Sequence, residues 1–211
     1  MGVIRNPSGA NILSGAISLN NTASANIIST STGADLFEIS GAISTGTSAS
    51  YILTFDGTGN IKSSGAISGA GGITKLGTST LTITGNNTSY TGATIIGAAA
   101  ANGGIVNIQN GNALGATSSG TTVYDGSTLQ FQGAITIAAE PVSITGNGYG
   151  SIGAINNLSG LNVFAGPITL TNNARIVSTL GGATDSLRLT GTIALATYQL
   201  TIQADGGNNS R

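Results

Sequence analysis

The sequence predicts an all-β chain wound as a right-handed parallel β-helix, and three observations carry that prediction. Small polar and apolar residues alternate in short runs such as Thr80-Leu81-Thr82-Ile83-Thr84 and Ser186-Leu187-Arg188-Leu189-Thr190. A five-residue motif, Ser-Gly-Ala-Ile-Ser, recurs at Ser14–Ser18, Ser40–Ser44 and Ser64–Ser68. Charged residues are 6% of the 211-residue chain, hydrophobic residues are 39%, and there are 34 glycines. Disorder needs low hydrophobicity and high net charge, so this chain folds. An ordinary soluble domain carries about 25% charged residues, so it folds into something unusual.

The alternation comes first. A period of two puts Leu81 and Ile83 on one face of a strand and the threonines on the other. Thr128-Leu129-Gln130-Phe131 and Gln199-Leu200-Thr201-Ile202 follow the same rule. Turn formers separate the runs: Asp56-Gly57, Asn102-Gly103, Asp125-Gly126, Gly146-Asn147-Gly148 and Asp205-Gly206.

The recurrence turns strands into coils. Looser copies of the motif stand at Gly133-Ala134-Ile135, Gly166-Pro167-Ile168 and Gly191-Thr192-Ile193. From Gly15 through Gly41, Gly65, Gly133 and Gly166 to Gly191 the steps are 26, 24, 68, 33 and 25 residues, and 68 fits nearly three units. Gly153-Ala154-Ile155 falls off this rhythm. A unit of that length cannot bury an apolar face alone, so units must stack. Residues 1–211 are therefore expected to form a single β-solenoid segment of roughly 8–9 coils, with Ile17, Ile43 and Ile67 in one inward ladder. At about 4.8 Å per coil it would be about 40 Å long. A β-sandwich is the alternative; it explains the strand spacing but not the recurrence. A membrane barrel needs longer strands and aromatic girdles, and this chain has only five Tyr and four Phe. Stacking also explains the missing charge, because a charge at a repeated position would face its own copy.

The stretch 69–96 resembles the autotransporter-associated β-strand repeat, also called the passenger-associated transport repeat. Gly69, Gly71, Ile73, Lys75, Gly77, Thr80, Leu81, Ile83, Gly85, Asn87, Thr88, Tyr90, Thr91, Gly92 and Thr94 fall in the consensus places. Ser79 stands where glycine is usual, and Ser89 is inserted before the Tyr-Thr-Gly half. Asn112-Ala-Leu-Gly115, Gly126-Ser-Thr-Leu129 and Gly166-Pro-Ile-Thr-Leu170 resemble the text that follows the repeat in such proteins. The resemblance is good over about a third of the chain and loose elsewhere. It implies an excised passenger segment of a large bacterial surface or secreted protein, adhesive or structural, located outside the cell. It further implies a C-terminal translocator barrel in the full-length chain, with a host glycan or extracellular protein as possible partner. A non-adhesive structural fibre or matrix protein is the alternative. A polysaccharide lyase or hydrolase on a β-helix is the third reading.

The remaining residues argue for little chemistry. The bases Arg5, Lys62, Lys75, Arg175, Arg188 and Arg211 are scattered, so no nucleic-acid partner is expected. With no cysteine, a disulfide scaffold and a thiolate metal site are excluded. No apolar run is long enough for a transmembrane helix, and the start does not have the form of a secretory signal. The carboxylates are Asp35, Glu38, Asp56, Asp125, Glu140, Asp185 and Asp205, of which three precede glycine in turns. Asp35 and Glu38 are the closest pair, on opposite faces if their strand is continuous, where acid–base catalysis needs convergence. Asp56-Gly-Thr-Gly-Asn60 and Asp205-Gly-Gly-Asn-Asn209 echo calcium-binding solenoid repeats but read as turns. Sequons at Asn20, Asn87, Asn157 and Asn208 are expected by chance in so polar a text. Lys75 is expected on a solvated face and Tyr90 at a packing corner. No enzyme activity, cofactor, metal or catalytic residue is expected. Open strand edges at Met1–Asn11 and Asp205–Arg211 would favour self-association through the solenoid ends.

Overall fold

Every ladder pairing among the described residues is parallel, and each joins a strand to its counterpart one coil further along the chain. The computed structural model describes residues 2–20, 24–99, 103–182 and 184–206. The protein is a parallel β-solenoid of about eight turns. Its one helical element among the described residues is a 3-10 turn at Tyr149–Ser151. Asn102, Met1 and residues 207–211 of the predicted C-terminal turn lie outside the described residues, as does the sequon at Asn208.

Two long ladders run through the molecule. The first contains Gly2–Asn6, Ser24–Ser29, Ile52–Gly57, Gly72–Lys75, Thr94–Ile96, Thr121–Val123, Val142–Gly146, the start of Ile168–Leu180, and Ile193–Ala194. We number coils 1 to 9 from these strands. The second contains Asn11–Leu13, Leu36–Ile39, Asn60–Ser63, Thr80–Ile83, Gly104–Ile108, Ser127–Gln132, Ile155–Ser159, the rest of Ile168–Leu180, and Leu200–Gly206. In coil 8 one 13-residue strand serves both ladders.

The third side is interrupted. Ile17–Ser18, Ile43–Ser44 and Ile67–Ser68 pair in coils 1 to 3, so the predicted Ile17, Ile43 and Ile67 ladder is present. Thr136–Ile137, Leu161–Phe164 and Ser186–Leu189 pair in coils 6 to 8. Among the described residues coils 4 and 5 have no third strand; there the Asn87 side chain accepts from Ile67 N–H at 2.7 Å and donates to the Ala113 carbonyl at 2.7 Å. One buried amide thus joins three coils.

Alternation decides which side chains fill the lumen. Ile27, Phe55, Ile96, Val123, Ile144 and Leu170 share one inward column, and Phe37, Ile61, Leu81, Val106, Leu129, Ile155 and Ile176 share another. All are buried. Phe131 and Phe164 stack with centroids 5.7 Å apart. Such burial contributes about 25 cal/mol per Å² of apolar surface removed from water.

The recurrent glycines have a steric cause. A Cβ on Gly41 would stand 2.1 Å from the Gly15 carbonyl oxygen, and one on Gly65 would stand 2.0 Å from that of Gly41. Gly166-Pro167-Ile168 and Gly191-Thr192-Ile193 obey the same rule, with a Cβ on Gly191 only 2.0 Å from the Gly166 oxygen. They do not continue the Ile67 ladder, however: Ile168 pairs with Ile193 on the first ladder. The 33-residue step from Gly133 to Gly166 is one coil plus one side, which corrects the single-file reading of the recurrence.

Candidate functional site

The outer surface carries the groups available to a ligand. On the first ladder Asn26, Thr54, Thr74, Ile95, Thr122, Ser143 and Thr169 form one outward column, each paired with the next coil. Their positions alternate with the inward column, which is why all face out. Beside Thr74 and Ile95 a groove of about 250 Å³ is lined by Ala49, Ile52, Ala70, Thr91, Ala93 and Ser119 among others. A second depression of about 320 Å³ lies between Asn20, Ser44, Thr47 and Tyr51. Neither is lined by a charged side chain.

On the second ladder the outward column becomes an amide chain. Asn107 Nδ2 donates to Gln130 Oε1 at 2.8 Å, Gln130 Nε2 donates to Asn156 Oδ1 at 2.8 Å, and Asn156 Nδ2 donates to Thr179 Oγ1 at 3.1 Å. These three amides are buried, so they hold coils together and leave few free donors.

The carboxylates do not converge. Asp35 accepts from Gly9 N–H at 2.9 Å, one coil away. Glu38 lies 3.1 Å from Lys62 and accepts from Ser64 Oγ at 2.6 Å. The Ser64 bond, then Lys62, hold its carboxyl below the usual range. Asp56 and Asp125 cap their own turns through Gly57 and Gly126 N–H. Asn60 Oδ1 accepts from Thr80 N–H, so both ends of the calcium-like echo serve turns and stacking. Asp185 accepts from Gly160 and Gly182 N–H. Asp205 lies 3.9 Å from Arg175. Among the described residues no group of three or more acids could hold a metal ion. Among the described residues no helix is long and apolar enough to cross a membrane.

Three side chains are placed by the structure where the sequence pattern had to be read twice. Lys75 is buried, which overturns its expected place on a solvated face. It stands in the inward column between Phe55 and Ile96, and Nζ donates to the carbonyls of Leu76 at 2.6 Å, Gly77 at 3.3 Å and Gly103 at 3.1 Å. The three carbonyls use the three ammonium donors, and Gly103 lies on the next coil. Burial pulls the Lys75 pKa down to about 8, against a smaller upward pull from Asp56. The signal was present: Ile73-Thr74-Lys75 alternates, with Ile73 and Lys75 on one face.

Tyr90 packs inside, as expected for a corner residue. Its hydroxyl accepts from Ile73 N–H at 3.0 Å and donates to the Ala93 carbonyl at 2.7 Å. Burial pushes its pKa up to about 12. Glu140 is the third, 3% exposed in the corner before Val142. The sequons at Asn87 and Asn157 are fully buried, with their amides engaged in coil-to-coil hydrogen bonds.

No protein-family model matches the chain, and neither does any curated protein or solved structure. What fold and surface together define is a parallel β-solenoid with a neutral, hydroxyl-bearing outer ladder and its ionisable groups dispersed or buried.

Proposed function

We propose that the chain is an extracellular structural and adhesive segment of a bacterial surface or secreted protein of the autotransporter-passenger kind, without catalytic activity. The hydroxyl column of the first ladder, with the uncharged groove beside Thr74 and Ile95, carries this reading. Hydroxyls and amides spaced by about 4.8 Å suit a neutral, extended ligand such as a glycan chain or an extended protein strand. The apolar residues of the groove offer a surface for the CH face of a sugar, and no charge on the lining favours an anionic or cationic partner. The reading also draws on the stretch 69–96, which forms the entry to coil 4, coil 4 itself and the first strand of coil 5, and whose Gly71 and Gly92 make close coil-to-coil contacts. A right-handed winding, the rule for parallel crossovers, belongs to the same proposal. So does end-to-end association with a second copy, since Val3 and Ile12 are exposed in coil 1 and Leu195 and Ile202 in coil 9.

Binding of the purified chain to immobilised neutral glycans and extracellular-matrix proteins tests the adhesive part. Saturable binding lost in Thr74→Lys, with the melting temperature unchanged, is expected. Absence of binding to every surface leaves a non-adhesive fibre, and release of reducing or unsaturated sugars reveals an enzyme. Sedimentation that shows a strict monomer at high concentration removes the end-to-end partner.

A further inference from the structure

The first ladder is entered through a tight corner. Two residues before the first inward side chain stands a glycine in four coils: Gly71 before Ile73, Gly92 before Thr94, Gly166 before Ile168 and Gly191 before Ile193. Glu140 occupies that same corner position before Val142. It is the position's one carboxylic acid, coil 3 carrying Tyr51 there, and its side chain is buried. Oε1 accepts from Thr121 Oγ1 at 3.1 Å, while Oε2 is buried and has no partner among the described residues.

The surroundings of Glu140 are uncharged. Thr121 bonds it from the strand one coil below. The Tyr90 phenol is the ionisable group that senses it, and that phenol is itself neutral until far above neutrality. The ion pairs present among the described residues, Glu38 with Lys62 and Arg175 with Asp205, do not include it. A carboxylate here would lose its hydration with one hydroxyl in return, whereas a neutral acid fits at far lower cost.

We propose that Glu140 is a proton-operated clasp at the corner joining coils 6 and 7, closed while it carries its proton and loosened when it ionises. Burial pushes its carboxyl up to about 7, against the opposing pull of the Thr121 hydrogen bond. An opened corner would ionise at the ordinary 4.5. Stability from this group is therefore fully present below that lower value, falls as pH rises, and is gone above about 7. In coils 2 and 3 Glu38 and Lys62 are half-buried and paired with each other.

Hydrogen exchange followed by mass spectrometry over about pH 4 to 9, corrected for intrinsic rates, tests the clasp. In the native chain, peptides spanning 119–123 and 138–146 should open about a hundredfold more readily at about pH 8 than at about pH 4, while coils 2 and 3, whose Glu38 is held low, show no such rise. Glu140→Gln, which keeps the shape of the neutral acid, should abolish that pH dependence. Thr121→Val removes the bond that favours the ionised form, so the midpoint should move to higher pH. An unchanged profile in Glu140→Gln overturns the proposal. Should that variant fail to fold, an unmoved midpoint in Thr121→Val overturns it equally, because a merely structural role would not shift a midpoint.

Discussion

Coils 1 to 3 and coils 6 to 8 close the same third side by different means. In the first group the backbone itself makes the contact: Gly15, Gly41 and Gly65 stack so closely that each later glycine would drive a Cβ to within 2.1 Å of the carbonyl one coil below. In the second group side-chain amides add to the backbone ladder. Asn162 Oδ1 accepts from Ile135 N–H at 2.7 Å, and its Nδ2 donates to Asn157 Oδ1 and to the Ser159 carbonyl. Here Ala134 adopts a positive φ of 58°, a strain absent from the Ala residues of the first three motifs. A steric contact tolerates one residue type and must repeat in the sequence. An amide contact can be supplied from several positions and need not repeat.

The largest effect that follows is at Gly65. Gly65→Ala places a methyl where the Gly41 oxygen stands, and both atoms belong to backbone that the neighbouring coils hold. A loss of about 4 kcal/mol is expected in chemical denaturation. A loss under about 1 kcal/mol would show that the column can spread, and the steric account of the repeat would fail. Next comes Asn162→Leu. It orphans the buried Ile135 N–H and leaves Asn157 Oδ1 without its donor, at an expected cost of about 3 kcal/mol. If the cost is small, the second group rests on the Phe131 and Phe164 stack and not on its amides.

The contrast also explains what could be read without a structure. The two-residue period placed Leu81 and Ile83 inside correctly, because alternation is a property of the strand itself. The Ile17, Ile43 and Ile67 ladder was legible because glycine crowding enforces it. Gly166 and Gly191 misled, since the crowded corner can lie at the entry to any side. The Asn157 and Asn162 contact, the Asn107 to Asn156 chain and the burial of Glu140 left no repeated pattern. The candidate ligand face was legible only as a composition of Thr, Ser and Asn; which of these share a column depended on the unequal coil lengths.

Lys75 sits in coil 4, between the two groups, where the third strand is missing. Lys75→Met keeps the column filled between Phe55 and Ile96 and removes a desolvated charge, but it takes the donor from three carbonyls. The carbonyls should decide the sign, with a net loss of about 2 kcal/mol near neutrality. The pH profile separates the two contributions. The depressed folded pKa of about 8, against 10.5 for the free side chain, means that native stability rises with pH between these values. The Met variant should lack that rise. The window is best read below about pH 9, before Tyr90, at 10.0 when free, begins to titrate in the unfolded state.

The smallest effect belongs to Gly133, the counterpart of Gly65 in the second group. It opens the motif copy Gly133-Ala134-Ile135, yet an added Cβ there meets nothing within 4 Å. Only its φ of 100° favours glycine. Gly133→Ala should therefore cost about 1 kcal/mol, the price of a side chain in that backbone region. The same substitution in the same motif is thus expected to differ severalfold between coil 3 and coil 6, in melting temperature as in denaturant midpoint. Equal losses at Gly65 and Gly133 would break the contrast, because only Gly133 has a positive φ and only Gly65 is crowded. A loss at Gly133 as large as at Gly65 would also require coil 6 to lie closer to its neighbour than the open space around Gly133 allows.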